Sequence, residues 1–235
     1  MPHRHTATSP RLAPRIDAIQ ARIAEACRRA GRDPRDVVLV GVSKTHPLPF
    51  VREAAEAGIF DFGENRPQEL EQKAEALPGE VAGGHVRWHM IGHLQRNKAK
   101  IIAEHADVFH GLDSVRLANA LSSRLEDAGR LLACFIQVNI SGEDSKYGVE
   151  PEELPGLIDH VAGLPGIDLK GLMGMAAYSN DPETARPAFR RLRELRDAHV
   201  PAAPWLSMGM SGDFEVAIEE GATHIRVGSA IFGQR

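Results

Sequence analysis

The sequence predicts an α/β protein built as a single (β/α)8 barrel of the TIM type, with an additional N-terminal helix in front of it. Three observations carry that expectation. Short apolar runs rich in β-branched residues alternate with segments of helical spacing from Val37 to Phe232, the pattern of βα units that feed a parallel sheet through right-handed crossovers. Eight strand candidates can be counted, which favours a closed barrel over an open doubly wound sheet. No linker, low-complexity stretch or break in composition divides the 235 residues, a length that suits one barrel domain.

Each element has its own signal. Leu12, Ile16, Ile19, Ile23 and Cys27 recur at helical spacing, and Gly31 stops that helix before Asp33-Pro34. Val37 to Val42 is a nearly continuous β-branched run, as a strand buried on both faces requires. A helix over Leu48 to Ala57 leads to a strand over Ile59 to Phe62 and a helix from Pro67 to Ala76. Strands at Val86 to Ile91 and Val108 to Gly111 are followed by helices near Asn97 to Glu104 and from Ser114, a suitable N-cap, to Ala128. Leu131 to Ile140 is the clearest strand after the first, and a loop over Ser141 to Glu150 and a helix over Glu152 to Ala162 follow it. The sixth strand is Ile167 to Leu172, with its helix over Glu183 to His199. Trp205 to Met208 and Ile225 to Val227 close the count, separated by the helix Phe214 to Glu220. Only Ala230 to Phe232 remain for an eighth helix, so the leading helix is expected to cover that flank. Residues 1–10, MPHRHTATSP, are polar and proline-bearing and read as a disordered tail, leaving 11–235 for the barrel domain.

Composition narrows the function. With 28 basic against 32 acidic side chains, a net charge of −4 and only 5% aromatic residues, neither a phosphate-backbone groove nor a stacking platform for nucleic acid is expected. The longest apolar runs are too short to span a bilayer. Cys27 and Cys134 form no CxxC pair or disulfide framework, and no secretory signal opens the chain, so a reducing cytoplasm is the expected location.

In a (β/α)8 barrel the chemistry sits where the strands end. Lys44 follows the first strand directly, placing an amine at the barrel mouth, where partial desolvation favours a neutral nucleophile. The alternative is a solvated lysine at a strand end. After strand seven comes Ser207-Met208-Gly209-Met210-Ser211-Gly212-Asp213, and after strand eight Arg226-Val227-Gly228-Ser229. Their hydroxyls and backbone N–H groups suit a phosphate, which such barrels often hold at these two loops, although tight turns alone would also use these residues. A Schiff-base lysine opposite a phosphate cradle suggests pyridoxal phosphate. His85, His89 and His93 are spaced four apart, but the flanking glycines and the strand-like Val86 to Ile91 refuse the helix that would align them on a metal, so no metal site is expected. Met173, Met175, Met208 and Met210 read as packing at the barrel mouth, and Ser211 lacks the GxSxG elbow of a hydrolase.

Seven segments in order resemble one family. They are Val40-Gly41-Val42-Ser43-Lys44, Phe62-Gly63-Glu64-Asn65, Trp88 to Gln95, Ser141 to Gly148, Gly171-Leu172-Met173, Leu206 to Asp213 and Arg226 to Gly233. The chain is similar through them to the pyridoxal phosphate homeostasis proteins, whose barrel resembles the N-terminal domain of alanine racemase. The resemblance implies that Lys44 carries the cofactor as an internal aldimine and that Ser211, Gly212, Gly228 and Ser229 hold its phosphate. It also implies that Asn65 faces the cofactor and that Arg226 approaches the pyridine nitrogen.

A guanidinium there cannot accept a proton, so the ring would be a weaker electron sink than one paired with a carboxylate. Racemases of related fold supply a lysine and a tyrosine as two bases, the tyrosine from a further domain. Here the tyrosines are Tyr147 and Tyr178, and only Gln234 and Arg235 follow the barrel. The resemblance therefore implies a monomeric carrier or buffer of pyridoxal phosphate, with apo-enzymes that use it as recipients, and no established turnover. A pyridoxal phosphate-dependent racemase is the alternative, and a phosphate-binding barrel enzyme with Lys44 as base is a third reading. Arg66-Pro67 departs from the family's usual aromatic–aliphatic pair, and Lys146 is a second amine in the strand-five loop, read either as solvated or as a relay for passing the cofactor on.

Overall fold

The computed structural model describes residues 12–77, 79–81, 83–142 and 147–233. Eight parallel strands form a closed barrel: β1 (Val38–Val42), β2 (Asp61–Glu64), β3 (Arg87–Met90), β4 (Val108–Leu112), β5 (Leu132–Gln137), β6 (Ile167–Met173), β7 (Trp205–Met210) and β8 (His224–Val227). They are neighbours in chain order, and β8 closes on β1 with Val38 opposite His224 and Gly41 opposite Val227. Around them lie α1 (Ala13–Ala30), α2 (Leu48–Glu56), α3 (Pro67–Ala76), α4 (Ala99–His105), α5 (Val115–Ala128), α6 (Leu154–Ala162), α7 (Arg186–His199), α8 (Phe214–Glu219) and α9 (Ser229–Phe232). Among the described residues no helix is long and apolar enough to cross a membrane.

The leading helix does what its spacing predicts. Ile16, Ile19, Ile23 and Cys27 are buried against the barrel's outer layer, and Gly31, with φ of 66°, ends the helix. Arg22 pairs with Glu215 at 3.1 Å, Arg29 with Glu219 at 2.7 Å, and Arg15 donates to the Ile231 carbonyl at 3.2 Å. These contacts seat α1 beside α8 and the four-residue α9, on the flank that a full eighth helix would cover.

Several boundaries differ from the sequence expectation. β2 runs over Asp61–Glu64, two residues beyond the Ile59 to Phe62 expected, because ladder pairing starts where Asp61 meets Val40 and Arg87. β5 stops at Gln137 rather than Ile140, since Val138 leaves the strand to bridge Val149. The seventh helix begins at Arg186 after a 3-10 turn over Pro182–Ala185, with Pro187 in its first turn, where a missing N–H costs nothing. A small antiparallel pair, Glu80–Val81 with Gly84–His85, was not expected. The tail read over residues 1–10 lies outside the described residues, as does Lys146.

Candidate cofactor site

Lys44 stands two residues beyond β1, half-buried, at the C-terminal end of the barrel. The next residue, Thr45, has φ of 66°, a left-handed conformation that costs a side chain about 1–2 kcal/mol. A buried polar cluster holds this turn. Lys73 of α3 donates from Nζ to the Ser43 carbonyl at 2.8 Å, to Glu64 Oε1 at 2.6 Å and to Glu69 Oε1 at 2.9 Å. Ser43 Oγ donates to the same Glu64 oxygen at 2.6 Å, and the Thr45 N–H donates to Glu69 Oε1 at 2.6 Å. Glu64 is wholly buried, and its Oε2 has no hydrogen-bond partner among the described residues. Burial pushes its carboxyl up against the opposing pull of Lys73 and Ser43.

The other expected residues gather from adjacent strands. Gly228 follows β8 so closely against β1 that a Cβ on it would lie 3.3 Å from both the Val42 Cβ and carbonyl oxygen. This contact sets Gly228 and Ser229 beside the turn that bears Lys44. The Gly228 N–H donates to Ser211 Oγ at 3.3 Å, which ties the loops after β7 and β8 together. Gly212 lies next to Ser211, exposed and with open space where a side chain would stand. Near the end of β7, Gly209 has φ of 90° and packs against Ala217 and Phe214, which leaves no room for a Cβ. Asn65 follows β2 on the other side of β1, and its carbonyl oxygen would meet a Cβ on Gly92 at 2.4 Å.

Arg226 points into the barrel and is 5% exposed. Its guanidinium donates to Ser207 Oγ at 2.5 Å and to the Gly174 carbonyl at 3.2 Å. Burial lowers the group to about 10, with the Asp213 carboxylate opposing the shift. The arrangement thus offers an amine, neighbouring hydroxyl and amide groups, and a buried cation whose hydrogen-bond partners are uncharged. Chemically it can capture a carbonyl, cradle an anion and donate to a ring acceptor.

Ser207, expected at the start of the loop after strand seven, lies inside β7, fully buried, and joins a chain of polar side chains that the sequence did not bring together. Ser207 Oγ meets His110 Nδ1 at 2.8 Å, His110 Nε2 meets His89 Nδ1 at 2.9 Å, and His89 Nε2 meets Asp61 Oδ1 at 2.8 Å. The three histidines read together as a discarded metal trio diverge, as a strand running into a loop dictates. His85 is exposed, His89 lies in the barrel interior, and His93 pairs with Asp113 at 3.3 Å while stacking on Tyr147 at 4.1 Å. One signal was available. His89, His110, Ser207 and Arg226 are each the third residue of an otherwise largely apolar strand.

Residues 15–235 match the family described as "Alanine racemase, N-terminal domain". The chain is 45% identical over 224 residues to the pyridoxal phosphate homeostasis protein of Pseudomonas aeruginosa, covering 95% of this chain and 96% of that one. It is 44% identical over 225 residues to the protein of the same name from Aquifex aeolicus, covering 94% and 97%. Among solved structures, PipY of Synechococcus elongatus with pyridoxal phosphate bound superposes with a TM-score of 0.81 at 32% identity, covering 94% of this chain and 100% of that one. This chain belongs to the pyridoxal phosphate homeostasis protein family.

Proposed function

We propose that this protein binds pyridoxal phosphate as a Schiff base on Lys44 and serves as a cytoplasmic, monomeric carrier or buffer of that reactive aldehyde. The observation that carries the reading is the buried Arg226 guanidinium, held by a hydroxyl and a carbonyl on the strand next to the one that leads to Lys44. The residues present fit the group. Lys44 would supply the amine for the aldehyde, and Ser211, Gly212, Gly228 and Ser229 would supply hydroxyl and amide donors for the phosphate. Arg226 would be the donor for the ring nitrogen, and Asn65, just after β2, would face the cofactor. PipY, of the same fold over nearly the whole chain, has been solved with pyridoxal phosphate bound. When bound, the cofactor supplies an electrophilic carbon and an electron sink, and a guanidinium partner limits the second of these. Reversible capture on one lysine restrains side reactions with other amines and leaves the cofactor available to apo-enzymes that need it.

Reduction of the cofactor-saturated protein with borohydride, followed by peptide mass analysis, tests the reading. The expected product is a pyridoxyl adduct on the peptide that contains Lys44, lost in Lys44→Ala; an unmodified Lys44 refutes it. One observation favours turnover instead: His93, oriented by Asp113, is an imidazole on the loop after β3, at the same end of the barrel as Lys44. Solvent deuterium entering the α-carbon of added amino acids at a rate abolished by His93→Ala would establish that second reading.

A further inference from the structure

A continuous hydrogen-bonded file crosses the barrel interior from Arg226 to the opposite end. Its members come from five different strands: Arg226 of β8, Ser207 of β7, His110 of β4, His89 of β3 and Asp61 of β2, with Arg87 of β3 beyond. Asp61 and Arg87 are the first residues of their strands, so the file ends at the N-terminal face of the barrel, away from Lys44. His110 and Ser207 are fully buried, and His89 is 1% exposed.

The two ends fix the direction of every bond between them. A guanidinium only donates, so Ser207 Oγ accepts from Arg226. An ionised carboxylate only accepts, so His89 Nε2–H donates to Asp61. Burial pushes the Asp61 carboxyl up, while the hydrogen bonds it accepts from His89 and Arg87 and the Arg87 charge oppose that shift and favour the ionised form. With its proton on Nε2, His89 presents a lone pair on Nδ1 and accepts from His110 Nε2–H. His110 then presents its own Nδ1 lone pair, which accepts the Ser207 hydroxyl proton. Each donor and acceptor is used once, and both imidazoles are neutral. The alternative, a doubly protonated His89, would turn His110 around and aim two donors at Ser207, leaving its own hydroxyl proton to seek an acceptor in a fully buried site.

The surroundings support a neutral His110, which burial pushes well below its ordinary value, with the Arg226 charge adding to the effect. His224 of β8, 6.2 Å from His110 between ring centroids, is lowered to about 3, again chiefly by burial. Phe135 of β5 packs against His110 with ring centroids 4.5 Å apart, and at the barrel's lower end Trp205 of β7 lies beneath Lys170 of β6, which pairs with Asp168.

We propose that Asp61, His89, His110 and Ser207 are positioning residues for Arg226, a one-way hydrogen-bond file that orients its guanidinium from the far face of the barrel. What Arg226 then presents to a ligand rests on the cofactor reading above; the file itself does not. In the cofactor-free full chain, nitrogen NMR of labelled histidine and arginine reads both. The expected result at neutral pH is His89 and His110 each protonated on Nε2 alone, with separate Arg226 Nη signals from a guanidinium that does not rotate freely.

Asp61→Ala removes the distant acceptor. It is expected to move His110 protons toward Nδ1, to merge the Arg226 Nη signals and to weaken pyridoxal phosphate retention by about threefold or more, as coupled networks do. Asp61→Asn keeps an acceptor oxygen and is expected to restore all three, with the melting temperature reporting that both variants fold. Should Asp61→Ala fail to fold, Ser207→Ala cuts the file at its other end and is expected to merge the same Arg226 signals. An Nδ1 proton or a doubly protonated ring at His89 or His110 in the parent chain overturns the proposal, as does an Arg226 unaffected by either cut. If the tautomers stand as expected but borohydride leaves Lys44 unmodified, the cofactor reading falls and the file remains.

Discussion

Replacing Lys73 with methionine removes the cation that three carbonyl or carboxylate oxygens share. Lys73 Nζ lies 2.6 Å from Glu64 Oε1 and 2.9 Å from Glu69 Oε1, and its side chain is 9% exposed while that of Glu64 is not exposed at all. Breaking a buried pair on one side costs about 3–5 kcal/mol, because the remaining charge is left in a poor solvent. For a chain of this length, with a urea slope of about 3 kcal/mol per molar, the unfolding midpoint is expected to fall by about 1 M or more.

The sign of the pH dependence follows from Glu64. Its carboxyl is already raised above the ordinary value by burial, so the folded state holds that proton more tightly than the unfolded chain does. Without Lys73 the shift grows. Stability of the variant is therefore greatest below the unfolded carboxylate value and is lost as pH rises through the folded one. The loss relative to the parent should be smaller near pH 5 than near pH 8, and Lys73→Met combined with Glu64→Gln should recover much of it. Urea titrations followed by tryptophan fluorescence at the two pH values measure this. A loss under about 1 kcal/mol that is the same at both would refute the account of Glu64 as a buried charge neutralised by Lys73.

Three further outcomes follow from packing. Gly171→Ala would set a Cβ 1.8 Å from the Trp205 carbonyl oxygen, so it should destabilise the β6–β7 pairing by about 3 kcal/mol or more in urea titration, beyond ordinary overpacking. Ile16→Ala, at a fully buried position of α1, should cost about 3 kcal/mol by the same assay if α1 is integral to the barrel; a cost below about 1 kcal/mol would mark it as a detachable flank. Burial pushes the thiols of Cys27 and Cys134 up, so neither should react with a thiol-disulfide reagent in the native protein, and both should react at once in denaturant.

The barrel was legible because its strands carry the signals that parallel sheets require. Val38 to Val42 and Leu132 to Gln137 are apolar on both faces, and each is followed by a turn and a helical period. The C-terminal face of the barrel was legible as the place to look for a site, since such barrels keep their chemistry there. Lys44, Gly228 and Ser229 are placed together by the β1–β8 pairing that closes the barrel. What could not be read was burial of polar side chains. β2 was placed two residues early because Ile59 and Phe60 carry the apolar signal, whereas the paired segment contains buried Asp61 and Glu64. Lys73 sits in PQELEQKAEA, which reads as a solvated helix face, yet it is 7% exposed. His89 and His110 lie on expected strands, but a single sequence does not show which residues face one another across a barrel, so their pairing was not legible.

These buried groups fall into two systems that both draw on β2, which contributes Glu64 to one and Asp61 to the other. The Lys73 cluster braces the Ser43 carbonyl and the strained Thr45, so it fixes the backbone that carries the amine. The file from Ser207 to Asp61 braces the guanidinium two strand pairings away from β2, through the barrel interior. On the cofactor reading, the two grip opposite ends of the same ligand and differ in what they permit. Arg226 has a hydroxyl and a carbonyl as hydrogen-bond partners, so nothing in contact with it readily takes its proton, and a ring nitrogen facing it stays an acceptor. Such a ring withdraws electrons weakly from a bond broken at the amine end, while the hydrogen bond from Arg226 still adds to its retention beside the phosphate cradle and the lysine. On the same reading, a guanidinium partner makes the ring a weaker electron sink whether or not a second catalytic base is at hand.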